Sequence, residues 1–315
     1  MNARLLTAAA VIVCLPLQTL DAADCKMAPA FAQPDRQGST TVAVWQDSST
    51  SALLFADGMN VNTDGTRRSY SVSDFWGEAT EKGAINNLCN AMSDGCAGLN
   101  ADQLKARRVL TQDARSRQWP ADLLARTRIS PSIIPFRNGK PCPELDGYLV
   151  SATALHKANI SDQCDIANYV DALETSAIVL PKRARQGVPT PFETRGAKIG
   201  DLVAVLSGDG NILRFAVVGD TGPARELGEI SVALAGQLLG KSKPPVNYRE
   251  IRGKPPFQGK GWTVGKTFML ILPKTRNANN PYLTQTRIDA DGRAAFDRWG
   301  GLERFKACAA IYKIR

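Results

Sequence analysis

The 315-residue chain carries 39 lysines and arginines against 30 aspartates and glutamates, a formal charge of +9, with seven cysteines and one histidine. A single histidine and no Cys-x-x-Cys argue against a zinc centre and a Ser-His-Asp triad. Past the first residues no run of roughly 18 apolar residues occurs, which excludes a membrane-spanning helix there.

The first residues carry Arg4, an apolar run over 5–15 and small residues at Ala22 and Ala23. That order predicts a secretory signal peptide over 1–22 and a secreted or periplasmic chain over 23–315. Its removal deletes Cys14 and leaves Cys25, Cys89, Cys96, Cys142, Cys164 and Cys308, an even set suited to disulfides. The short spacing around Gly95 favours a Cys89–Cys96 bridge, and the other pairings stay open.

Residues 29–38, with Pro29, Pro34 and Gly38, read as an irregular lead-in. Strands are expected at 41–45 and 51–59, followed by a turn over 60–65 in which Asp64 accepts local backbone hydrogen bonds. From 78 to 166 the texture turns helical and loop-like, with helices at 101–117 and 120–128 and four of the six cysteines. This stretch reads as an insertion that either flanks a binding cleft or is inert elaboration.

Charge is unevenly spread. Residues 101–140 hold nine basic residues against three aspartates, a net +6, whereas 196–240 hold three against five acids, a net −2. The basic stretch, including Arg107, Arg108, Arg115, Arg117, Arg126 and Arg128, reads chiefly as a solvated helix face, and no nucleic-acid partner is expected.

Strand pattern resumes at 177–181. Apolar runs at 201–206 and 212–218, separated by a Gly/Asp/Asn loop, predict a hairpin. A turn over 219–223 and a helix over 229–239, with Ile230, Ala233, Leu234 and Leu238 on its apolar side, follow. Another buried strand is expected at 268–272, and the tail over 294–313 has mixed helical character. The expected architecture is mainly β with added helices (α+β), a β-barrel carrying the helical and loop insertion.

Asp220 and Glu229 flank the 219–229 connection, where Gly222, Pro223 and Gly228 allow the chain to return on itself. Two carboxyl groups facing one cleft suit glycoside hydrolysis, one protonating the leaving oxygen and the other activating water or attacking carbon. Each also has an ordinary reading, Asp220 as a turn residue and Glu229 as an acid favoured by a helix N-terminus.

The segments Gly200-Asp201-Leu202-Val203-Ala204-Val205, Phe215-Ala216-Val217-Val218-Gly219-Asp220-Thr221-Gly222 and Gly228-Glu229-Ile230-Ser231-Val232-Ala233-Leu234-Ala235 resemble glycoside hydrolase family 75, the fungal-type chitosanases. Upstream, Met59-Asn60-Val61-Asn62-Thr63-Asp64-Gly65 is similar to the family's Met-Asp-(Val/Ile)-Asp-Cys-Asp-Gly segment, with Asn60, Asn62 and Thr63 as departures. The resemblance spans about half of the mature chain, before Gly77 and after Thr175, and gives residues 78–166 no counterpart.

It implies a six-stranded double-psi-type barrel, Asp220 and Glu229 as the catalytic pair, inversion, and no metal or other cofactor. The expected reaction is endo-hydrolysis of β-1,4-linked, glucosamine-rich polysaccharide such as chitosan, with Glu229 as acid and Asp220 as base. Asp64 and Thr221, inside the matched segments, and Trp76 and Trp262, beside them and next to glycine, are the substrate-binding candidates. Hydrolysis of an anionic cell-wall glycan, peptidoglycan, and non-catalytic polysaccharide binding by an exported protein remain as alternatives. The Asn60-x-Asn62-x-Asp64-Gly65 spacing begins like a calcium loop, but Ser71 stands where its last acidic ligand belongs.

Overall fold

The computed structural model describes residues 25–35, 40–224 and 226–312. The predicted signal peptide lies outside the described residues. The fold is mixed α/β, built on one large and mostly antiparallel eight-stranded sheet.

Its strands are β1 (Met27–Pro34), β2 (Thr41–Asp47), β3 (Leu53–Asn62), β6 (Ala177–Pro181), β7 (Leu202–Ser207), β8 (Leu213–Gly222), β9 (Glu229–Ser231) and β10 (Val264–Leu272). A separate two-residue pair, β4 (Phe136–Arg137) and β5 (Lys140–Pro141), lies within the insertion. The sheet order is β1-β2-β3-β10-β7-β8-β6-β9, and β9 also pairs with β3. The strands β3, β10, β7, β8, β6 and β9 therefore close a ring, with β2 and then β1 extending outward from β3. Two pairs in the ring are parallel, β3 with β9 and β6 with β8.

The two faces of the ring strands are separately apolar, as the period-2 alternation of strands requires. Val203, Val205, Ala216, Val218, Ile178 and Ile230 share the inner core. Leu202, Ala204, Phe215 and Val217 face the opposite way, towards Ile288, Phe296 and Phe305. Those last three belong to α6 (Gln285–Trp299) and α7 (Gly301–Tyr312), which resolve the mixed helical tail into two helices. Asp47 is buried on β2, where Trp299 Nε1 at 3.0 Å and the Arg304 guanidinium at 2.8 Å donate to its Oδ2.

Three sequence expectations change. The irregular lead-in is largely β1, an edge strand where Pro29 and Pro34 remove no interior ladder bond. Residues 219–222 continue β8 rather than forming a turn. Glu229 lies on β9, and the helix α4 (Val232–Leu239) starts only after Ser231, whose side chain caps Leu234 N.

The stretch between β3 and β6 contains α1 (Ala101–Ser116) and α2 (Ala121–Thr127), as expected to within a residue or two, and two single-turn helices, α3 (Pro191–Thr194) and α5 (Tyr248–Ile251), lie further along the chain. It has its own apolar cluster around Phe75, Leu88, Ile129, Ile134 and Leu149. That cluster includes Tyr70 and Val72, so this body of structure begins before residue 78. The Cys89–Cys96 bridge is present, with Cys142–Cys164 also inside the insertion and Cys25 joined to Cys308 across the chain. Much of the local basic charge is paired, Arg107 and Arg128 with Asp94 and Arg115 with Glu144. Among the described residues no helix is long and apolar enough to cross a membrane.

Candidate active site

Strand register brings Asp220 and Glu229 together. Val179 on β6 pairs with Asp220 on one side and with Glu229 on the other, and Glu229 in turn pairs with Asn60 on β3. Directly paired residues point to the same face, so all four stand in one row. Their neighbours Ile178, Ile230 and Met59 belong to the inner core, which places the row on the outer face of the ring.

A bulge makes this possible. The β6–β8 register runs Ile178 with Val218 and then Val179 with Asp220, leaving Gly219 as an extra residue in β8. Without it Asp220 would share the inward face of Val218; with it the carboxyl turns outward. A side chain on Gly219 would meet Ala177 Cβ at 2.7 Å, so glycine is the residue that fits. Glu229 then leans across β6, its Oε2 3.1 Å from where a Cβ on Gly222 would stand. Gly222 is two residues beyond Asp220 on the same strand, about 7 Å along it.

The insertion closes the other side of the row. Ala154 N donates to Asp220 Oδ1 at 2.9 Å, beside the bond from Thr221 N at 2.8 Å, and Leu155 N donates to Gly219 O at 2.9 Å. Between barrel and insertion lies a cleft of about 500 Å³. Asp64, Asp220 and Glu229 line it from the strand side, and Asn90, Met92, Ser132 and Ile133 from the insertion. The insertion is thus a cleft wall rather than inert elaboration.

Asp64 enters just past the end of β3. Its carboxyl does not accept the local turn bonds expected of it; Asn62 Oδ1 accepts from Asp64 N instead, at 2.8 Å. The Asp64 carboxyl is hydrogen-bonded to Tyr70, and its Oδ1 is shut from solvent without a hydrogen-bond partner among the described residues. Tyr70 is held by Asn86 Nδ2 at 3.2 Å, and Asn86 Oδ1 accepts from Asn90 at 2.6 Å. Behind this, Gly65 N donates to Ser151 Oγ at 2.9 Å, tying the Asp64 turn to the insertion.

Burial dominates the electrostatics. It pushes Asp220 up to about 7, helped by the nearby Glu229 charge and opposed by the two backbone N–H donors. Burial, then Asp220 and Glu229, raise Asp64 well above the usual carboxylate range against the Tyr70 hydrogen bond. Asp220 therefore gives up its proton only as the pH approaches about 7, so carboxyls of one row are held at different tendencies to ionise, the condition under which one can donate while another accepts.

Asp64, Asp220, Thr221 and Glu229 meet at this cleft; the two tryptophans do not. Trp262 is only 2% exposed, with its ring over Gly236 and its Nε1 donating to Glu250 at 3.1 Å, so it offers no face to a sugar. Trp76 packs edge-on against Phe75, 4.7 Å between centroids, beside the insertion core. Tyr70, Asn86, Lys182 and Arg252 line the cleft without having been singled out in the sequence. No protein-family model and no curated protein matches the chain.

Proposed function

We propose that the protein is an endo-acting, inverting glycoside hydrolase of β-1,4-linked amino-sugar polysaccharides, of the family 75 kind, with its six-strand ring of the double-psi type. The observation that carries the reading is the convergence of Asp220 and Glu229 on one outward row beside Val179, in a cleft open to a polymer. The lean of Glu229 towards Gly222 sets it across β6 from Asp220 on the same outward face; inversion, which needs the two carboxyl groups about 6.5–9.5 Å apart with a water between them, is what the resemblance implies.

In this mechanism Glu229 protonates the departing glycosidic oxygen. Asp220, fixed by the Ala154 and Thr221 N–H groups through one oxygen, has the other available to take a proton from water. A group pushed up to about 7 is a stronger base than an ordinary aspartate once ionised. Asp64, raised well above the usual carboxylate range by burial, offers a hydrogen bond to the sugar beside them. Glucosamine-rich chitosan is the first substrate to test, as the resemblance implies.

The test is a substitution series assayed by release of reducing ends. Glu229→Gln and Asp220→Asn should each lower turnover roughly 100-fold or more, the scale of general acid or base catalysis, and the control Glu226→Gln should do far less. A glycosyl fluoride, whose leaving group needs no proton, separates the roles: Glu229→Gln should retain its hydrolysis and Asp220→Asn should not. Folded variants of both with near-normal hydrolysis would sink the proposal.

A further inference from the structure

We infer that the groove leading out of the cleft binds carboxylates, so that the substrate is an amino-sugar polymer whose sugars carry acid groups rather than free amines. The identity of the central cleft rests on the hydrolase reading above; the charge of its ligand does not.

Lys182 and Thr221 border both the cleft and a second depression of about 630 Å³, so the two adjoin at these residues and a polymer passing from one to the other would follow a single track. Along the second part stand Lys182, Arg183, Lys198 and Arg276, with Glu193 as the one carboxylate. Glu193 is already occupied, receiving three bonds of 2.7–2.9 Å from Arg183 and one from Thr190 N. Lys182 and Lys198 are exposed and have no ion-pair partner among the described residues. Arg252, also exposed, lines the cleft itself.

A polymer lying along this track meets cations beside the reacting centre. Of the three acids of the centre, Asp64, Asp220 and Glu229, burial raises the first two above the usual carboxylate range, which lessens the negative charge set against these cations. A polyamine is repelled by such a path, whereas carboxylates spaced along a glycan find paired positions. A nucleic acid fits less well, since no aromatic side chain lines the basic part for bases to stack on.

The experiment uses the full chain with Glu229→Gln, so that binding is read without turnover, and calorimetry against four ligands of equal length. These are peptide-free peptidoglycan strands, which carry lactyl carboxylates, the same strands methyl-esterified, chitosan, and oligodeoxythymidylate. The acidic strands should bind at least about tenfold more tightly than the esterified ones. Lys182→Gln and Lys198→Gln should each weaken the acidic strands roughly 3- to 10-fold and leave the esterified strands unchanged. Lys105→Gln, on the outer surface of α1, should change neither.

Chitosan binding tighter than the acidic strands, indifference to esterification, or equal binding of oligodeoxythymidylate would overturn the inference. Wild-type protein run in parallel keeps the two ideas apart. Charge-dependent binding with no reducing ends released from any glycan defeats the hydrolase reading alone; cleavage of chitosan with no binding of acidic strands defeats this one alone.

Discussion

Replacing Asp220 by asparagine should make the protein more stable as it makes it inactive. A carboxyl pushed from 3.8 up to about 7 by burial carries a penalty of about 4 kcal/mol once the unfolded chain ionises freely, at about 1.4 kcal/mol for each pH unit. The sign follows from proton binding. The folded state holds the proton longer, so wild-type stability falls as pH rises from about 4 to about 7 and levels off above. Asparagine keeps an oxygen for the Ala154 and Thr221 donors and has no charge to bury. Its amide still loses hydration, which reduces the expected gain at pH 8 to about 1–3 kcal/mol. In a chain of this size that amounts to roughly 2–4 °C in Tm for each kcal/mol. Thermal unfolding of both proteins at steps from pH 4 to pH 8 should show curves that meet at the acid end and separate towards neutrality. A constant difference across that range, or a variant less stable than wild type at pH 8, would refute the burial argument.

Gly65→Ala should cost about 3 kcal/mol or more and displace Asp64, because the backbone there has φ +86° and the new Cβ would lie 1.8 Å from Val170 O; a melt and the loss of cleft function check it together. Trp262→Phe should lower stability by about 1–2 kcal/mol through the lost bond to Glu250 and leave KM for glycan unchanged, a result opposite to that expected of a stacking platform. Paired Cys25→Ser and Cys308→Ser changes, which open a link across 283 residues, should cost up to about 5 kcal/mol in denaturant titration without altering the pH profile of any activity.

Apolar runs were enough to foretell β7, β8 and β10, because each is buried on both faces and reads as continuous hydrophobic sequence. The prolines that mask β1 are tolerated only because it is an edge, a tertiary fact. Gly219 looked like the start of a turn; inside an apolar strand the same residue marks a bulge, and that signal was present. Ser231 likewise marked the true start of α4, two residues past Glu229. What no local pattern carries is the support around the acids. Tyr70 reaches Asp64, Asn86 reaches Tyr70 and Ala154 reaches Asp220 through contacts 66 residues apart in the last case, set by how the insertion lies on the barrel. The tryptophans misled for a related reason: glycine neighbours indicate close packing as readily as exposure, and at Trp262 the close packing is with Gly236.

The seam at Ala154 has an engineering consequence. Both acids of the pair come from the barrel, whereas the opposing wall comes from a body of structure with its own apolar cluster and two internal disulfides. The two sides of the cleft therefore come from different parts of the chain, stitched at Ser151, Ala154 and Leu155. Chimeras that keep residues 151–155 and exchange the wall ahead of them would reshape the cleft while leaving Asp220 and Glu229 seated, so that, on the hydrolase reading, only the choice of glycan changes.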